Sequence, residues 1–248
     1  MPAAPSADGL RRAFRVRSVL RATAFSSAQK VLLLGLNAWP LVHVLGAVAS
    51  ATLLPWSPTM RALVTLTWLL LVPPILCRLA LAGVRPTGEF PVPSRIFFRW
   101  WTTWQLQAPF NRLPWIEETL RFVPGLYSAW LRLWGARIGR LTLWSPGTKI
   151  FDRPFVQLGD DVVVGIDVRF VAHFSGANPE GQTTLSLGPI TLGDRTSIGG
   201  SALLSAGFIL DPDQATEALF LGAPFTRWRG AQRVSVDSTH HARSPANP

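Results

Sequence analysis

The chain has 248 residues, a formal charge of +10, and 48% hydrophobic against 15% charged residues. That length allows one or two domains with a substantial core, and that composition is more apolar than a purely soluble protein of ordinary make-up. No basic helix has the aromatic or motif context of a nucleic-acid module, so the charge points to anionic lipid or an anionic substrate instead.

In chain order, residues 1–30 read as a basic, partly disordered segment. An Ala, Pro and Ser-rich start is followed by Arg11, Arg12, Arg15, Arg17, Arg21 and Lys30. Residues 31–94 read as a transmembrane helical hairpin. The run 31–54 holds no acid, Lys or Arg, and the run 62–84 holds only Arg78; each suffices to cross a hydrocarbon core of about 30 Å. Pro40, Pro73 and Pro74 predict kinks, and Pro55–Arg61 predicts the turn between the runs. Cys77, the only cysteine, lies in the second run, where packing is its natural role. His43 in the first run is read the same way. A cleaved signal peptide fits poorly, because the first run is too long and a second follows. A pair of buried core helices or a re-entrant hairpin stays open. Positive-inside bias places the N-terminus and the C-terminal half in the cytoplasm of a multi-pass membrane protein.

Residues 95–137 are rich in Trp and Arg: Trp100, Trp101, Trp104, Trp115, Trp130 and Trp134 alternate with Arg99, Arg112, Arg121 and Arg132. Two readings carry equal weight: helices lying in the membrane interface, with membrane lipids as partners, or a helical collar packed on the next domain.

From residue 138 to 230 the rhythm becomes six. Apolar residues recur at Ile138, Trp144, Ile150 and Val156, slip by two, then resume at Leu158, Val164 and Phe170, and again at Leu192, Ile198, Leu204 and Leu210. Small residues often follow, as in Leu158-Gly159 and Ile198-Gly199. Antiparallel strands would show period two, and helices would not place Gly and Val there. Six residues make one short strand and a turn, and three such units return the chain to the same edge at ordinary strand spacing. The expected fold is therefore mainly β: a short left-handed parallel β-helix preceded by two transmembrane helices and an amphipathic collar. After Ile209, Asp211-Pro212-Asp213 interrupts the pattern, predicting a loop or short helix to Phe220 and the loss of about one coil. Residues 231–248, with His240 and His241, read as a disordered tail.

The segments LGDDVVVGIDVRFVAHFSGAN (158–178) and GPITLGDRTSIGGSALLSAGFI (188–209) resemble the core of hexapeptide-repeat acyltransferases. Together with LRLWGARIG (131–139), GAPFTRWRG (222–230) and the preceding apolar helices, they resemble most the membrane-tethered C-terminal region of polylysine-synthetase-like proteins. The resemblance implies an acyltransferase moving an acyl or aminoacyl group from a thioester to a hydroxyl or amine acceptor. The donor would be acyl-CoA or a carrier-protein thioester; no permanently bound cofactor is implied. It also implies a homotrimer and a general base at His173, which follows the unit Val164–Arg169. Imidazole titrates near pH 6.5, so it accepts a proton at neutral pH. Gly200 would lie against the thioester arm, Arg227 and Arg229, with Arg233 nearby, would meet nucleotide phosphates, and Ser175 and Asn178 would orient the acceptor.

Three other functions compete. A zinc-dependent β-helical enzyme needs three ligating histidines, and the repeat region contains one, so no metal is expected. A nucleotidyltransferase needs a glycine-rich phosphate loop, and residues 1–130 offer none. A non-catalytic membrane scaffold with a degenerate β-helix is favoured by the interruption after Ile209 and opposed by the placing of His173.

Overall fold

The computed structural model of the chain describes residues 25–178, 180–229 and 232–234. The basic residues Arg11–Arg21 and the tail from residue 235, including His240 and His241, lie outside the described residues.

Helix α1 (Ser27–Thr52) starts at a capping box in which Ser26 and Gln29 bond each other's backbone N–H. Helix α2 (Pro58–Leu70) is capped by Ser57 and opens on Pro58, so the helix begins inside the expected turn, three residues before Arg61. A break at Leu71 leads into α3 (Val72–Leu81), whose first turn holds Pro73 and Pro74 and thus needs no backbone donor there. Two stretches, Ser27–Thr52 and Pro58–Leu81, are long and apolar enough to cross a membrane. Val31, Leu34, Leu41, Leu45, Leu63, Leu66 and Leu79 are all exposed along them. His43 is buried between the rings of Trp39 and Trp68, and Cys77 is buried in the core, as packing roles require.

The collar is α4 (Arg95–Arg112), α5 (Trp115–Arg121) and α6 (Leu126–Leu133). Its tryptophans turn mainly inward: Trp100, Trp130 and Trp134 are buried, whereas Trp115 is exposed. On one side α4 meets α1, where Asn37 Oδ1 accepts from Trp101 Nε1 (3.0 Å) and Gln105 Nε2 (2.9 Å). Trp130 Nε1 donates to the Leu70 carbonyl at 2.9 Å, tying α6 to the hairpin.

Beyond the collar the chain winds through three parallel ladders, always in the same order. The first takes residues 137–138, 156–158, 190–192, 209–210 and 227–229. The second takes 143–144, 163–164 and 197–198, with a bridge from Ser197 to Ala215; the third takes 149–150, 169–171, 203–205 and 221–222. Ile138, Leu158, Leu192 and Leu210 share one register and are buried, as the six-residue rhythm predicts. Helical residues nonetheless outnumber strand residues among those described, because each strand is only two to five residues long.

The circuit after Ile209 continues the ladders past the interruption at residues 211–213, although its second side keeps only the bridge at Ala215. Strands at 221–222 and 227–229 pair in register with the preceding circuit, and Leu210 pairs with Trp228. Its signature is unreadable for a physical reason: Gly222 stands at the inward position because a Cβ there would lie 2.7 Å from the Phe208 ring. Phe208, Phe220 and Trp228 close this end of the coil as a chain of edge-to-face rings. Left-handed backbone marks the corners at ladder spacing: Leu141, Asp161, Arg195 and Asp213 at one, and Asp167, Ser201 and Leu219 at the next. Corner backbones bond each other, as in Arg195 N to Asp160 O and Asp213 N to Asp194 O. Gly159 serves a different end. Its Cβ would fall 2.6 Å from the Asp194 backbone nitrogen, so glycine there permits stacking of circuits rather than the turn itself.

Arg153 joins collar to coil. It is buried, its Nε donates to Glu117 Oε1 at 3.0 Å, and its Nη1 donates to Asn111 at 3.0 Å. Glu117 also accepts from Tyr127 at 2.6 Å, so both charges are paired and hydrogen-bonded out of water. Arg85 Nε donates to the Pro154 carbonyl at 2.8 Å and its guanidinium also holds the Gly135 carbonyl.

Candidate active site

The coil departs from its repeat at two places, and they meet. The first is the two-residue slip, which the register puts between inward Ile150 and Leu158 rather than after Val156; there Phe151 and Asp152 lead into a short 3-10 turn, Arg153–Phe155. The second is the excursion between residues 171 and 190. It is a hairpin of strands His173–Ala177 and Thr183–Leu187, extended by strand Gly88–Pro91, which pairs with the second of them. Strand pairing satisfies backbone groups that a buried loop would leave open.

His173 is the first residue of that hairpin, and Asp152 is the residue just before the 3-10 turn. Their side chains meet, His173 Nδ1 to Asp152 Oδ2 at 2.6 Å. Asp152 is buried, and each of its oxygens is held: Oδ1 accepts from Trp100 Nε1 at 3.0 Å, and Oδ2 also accepts from the Ala172 backbone N–H at 3.1 Å. The His173 ring lies between Trp100 and Trp104, with centroids at 4.8 and 4.6 Å, and Trp104 in turn stacks on Phe151. The side chain keeps 16% exposure.

This arrangement fixes a tautomer. An ionised Asp152 can only accept, so Nδ1 carries the proton and Nε2 keeps its lone pair. Burial by itself would lower the imidazole pKa, but the charge of Asp152 and the hydrogen bond to it outweigh burial and hold it above its ordinary value. Such a group is a proton acceptor of raised basicity with one free nitrogen.

The remaining expected residues are spread along the coil. Gly200 lies in the turn from Ser197–Ile198 to Leu203–Ser205. A Cβ there would approach the described chain no closer than 3.4 Å, at the Ile166 carbonyl, so the coil's own packing does not require glycine at that position. Neighbouring Gly199 differs, since a Cβ would fall 2.3 Å from Glu217. Arg227 and Arg229 flank buried Asp211, their Nε atoms donating to its two oxygens at 2.7 and 2.8 Å. Burial would raise the Asp211 pKa, but these two partners hold it below the usual carboxylate range. Both guanidinium groups are therefore engaged, though still partly exposed. Ser175 is exposed on the same side of the strand His173–Ala177 as His173. Asn178 fastens the hairpin turn instead: its Oδ1 accepts from Gln182 N at 2.8 Å. Arg233 is in the last described strand, paired opposite Trp228.

Sequence reading names His173 but misses Asp152, Trp100 and Trp104. The one available signal for Asp152 is the slip itself, an acid inserted where the repeat breaks. No group of three or more His, Cys, Asp or Glu capable of holding a metal ion occurs among the described residues.

Among solved structures, the chain is similar to galactoside acetyltransferase in complex with coenzyme A (14% identity, TM-score 0.34, covering 70% of this chain and 96% of that one). It is also similar to a hexapeptide-repeat-containing acetyltransferase from Vibrio cholerae (12% identity, TM-score 0.28, 52% and 90% covered). A third is serine acetyltransferase isoform 3 from Entamoeba histolytica, in complex with cysteine (12% identity, TM-score 0.21, 76% and 68% covered). No protein-family model matches the chain, and no curated protein matches it.

Proposed function

We propose that the chain is a membrane-associated acyltransferase whose coil is a closed left-handed β-helix, with His173 as general base. The observation that carries this reading is the Asp152–His173 pair at 2.6 Å beneath two tryptophans. Asp152 orients the imidazole and stabilises the imidazolium that forms. Nε2 takes the proton from an acceptor hydroxyl or amine as that group attacks the thioester carbonyl. The C–S bond breaks, the thiol leaves, and the acyl or aminoacyl group stays on the acceptor. Trp100 and Trp104 exclude water from the ring, which favours transfer over hydrolysis.

The thioester of coenzyme A or of a carrier protein is the co-substrate. Gly200 provides a surface a pantetheine arm can approach closely, and Ser175 faces the acceptor side. Arg227 and Arg229 would have to share their charge between Asp211 and any phosphate, which makes them weaker nucleotide contacts than their number suggests. The two apolar stretches anchor the chain, with the N-terminus and the coil in the cytoplasm, where thioester donors are available. The continuation of the ladders past Ile209 favours this reading over a scaffold with a degenerate coil.

The test is thiol release from acyl and aminoacyl thioesters by the full chain in detergent micelles, across hydroxyl and amine acceptors. Transfer by the wild type and its loss in both His173→Ala and Asp152→Asn is the expected result. Equal rates in all three proteins remove the proposed base.

A further inference from the structure

Away from the Asp152–His173 pair, between the α5–α6 turn and the outer face of the first circuit, lies a cavity of about 680 Å³. That size suits a small-molecule site. Its wall is largely apolar, with Val123, Leu141, Leu143 and Val163 among its residues. Three guanidinium groups, of Arg121, Arg132 and Arg140, reach it against one carboxylate, Asp161.

The polar groups there are not all satisfied. The Arg121 guanidinium is engaged by Glu117, Glu118 and the Thr148 carbonyl, yet its buried Nε has no hydrogen-bond partner among the described residues, and neither has Thr142 Oγ1. Buried donors of that kind are uncommon in a finished interior. Arg140 is paired with Asp160 at 3.0 Å, but Arg132 is not paired with any carboxylate among the described residues. Its Nε and Nη2 hold only the neutral carbonyls of Ile138 and Gly139, at 3.0 and 2.8 Å. An apolar slot with one uncompensated cation at its rim has the chemistry of a fatty anion's counterpart. Exposed Leu126 and Leu133 extend apolar surface beside it on the helix that Trp130 fastens to the hairpin, and exposed Phe122 ends the helix before it.

We propose that this cavity binds an anionic amphiphile drawn from the membrane, its apolar chain against Val123, Leu141, Leu143 and Val163 and its head group at Arg132. The site is separate from the proposed acyl transfer, and none of these residues belongs to that machinery.

The probe is a dansyl-labelled undecanoate titrated into the full chain in detergent micelles, with oleate, lysophosphatidylglycerol and methyl oleate as competitors. Saturable binding of one probe per chain is expected, displaced by the two anions and not by the methyl ester. Arg132→Gln should weaken binding about tenfold, the worth of one charge-assisted contact. Leu143→Glu, an outward-facing change, should abolish it. Stronger competition by lysophosphatidylglycerol assigns the site to membrane phospholipid, and stronger competition by oleate to a free carboxylate; either supports the proposal. Equal displacement by methyl oleate, or wild-type affinity in Arg132→Gln, overturns it. Thiol release measured on the same samples keeps the two questions apart, since both variants should retain wild-type rates.

Discussion

Leu192 and Leu210 do the same thing one circuit apart in the coil, whereas no two residues of the collar are interchangeable. Each coil position is set by translation: a side chain points inward because the one stacked on it does, and the ladders supply the backbone bonds. Collar positions are set by single partners, such as Trp100 to Asp152, Trp101 to Asn37 and Glu117 to Arg153. The Asp152–His173 pair lies where the two regimes touch. Both breaks in the repeat face α4, and the collar fills the space that a regular circuit would leave to solvent. A repeat builds a scaffold well, but only an irregularity can place one acid beside one histidine.

The largest expected effect tests the junction itself. Substituting His173→Ala or Asp152→Asn should cut acyl transfer by about 10²–10⁴-fold, the usual range for general-base catalysis, read as thiol release. The pH profile separates a catalytic pair from a merely structural one. The base must be neutral to act, and Asp152 holds its pKa up, so the wild-type rate should rise through a midpoint above about 6.5. In Asp152→Asn only burial acts on the ring, and the midpoint should move below that value. Stability follows the same linkage with its own sign. A raised folded pKa means the contribution is full below pH of about 6.5 and is lost as pH climbs through the folded value. Denaturation of the wild type should show that decline, and Asp152→Asn should flatten it.

Next is the collar's attachment. Arg153→Ala leaves buried Glu117 with only the more distant Arg121, at 3.7 Å, and should cost roughly 3–5 kcal/mol in denaturant unfolding. Arg195→Ala, which removes an exposed corner pair with Asp213, should leave the unfolding midpoint unchanged. If the two behave alike, the contrast between single-partner collar and averaged coil fails. Within the coil, Gly159→Ala forces a Cβ into the next circuit and should cost about 1–3 kcal/mol, while Gly200→Ala should leave unfolding unaltered. Among the changes expected to lower transfer, the smallest is Trp100→Phe. The ring is kept and one bond to Asp152 is lost, so transfer should fall roughly tenfold with the fold intact.

Most of the coil was legible because its rule is local. A six-residue period with inward aliphatics is written along the chain, and Ile138, Leu158, Leu192 and Leu210 needed no partner to be recognised. The last circuit was not legible, since Thr216 and Gly222 carry no aliphatic signature and Phe208 fills the space at Gly222. His173 could be singled out by its place between repeat blocks. Its partner could not, because Asp152 is twenty-one residues earlier and nothing local says that a two-residue slip will turn it toward the hairpin.

What the sequence by itself determined, then, is the scaffold: two apolar stretches, an aromatic collar and a stack of hexads. Their cause is periodic hydrophobicity, which each segment expresses without reference to any other. Only the tertiary structure decided where the proton acceptor is held, which tryptophans cover it, that Arg227 and Arg229 are engaged by Asp211, and that a cationic apolar slot opens beside the first circuit. Those are contacts between residues far apart in the chain, fixed by the meeting of collar and coil, and no period encodes them.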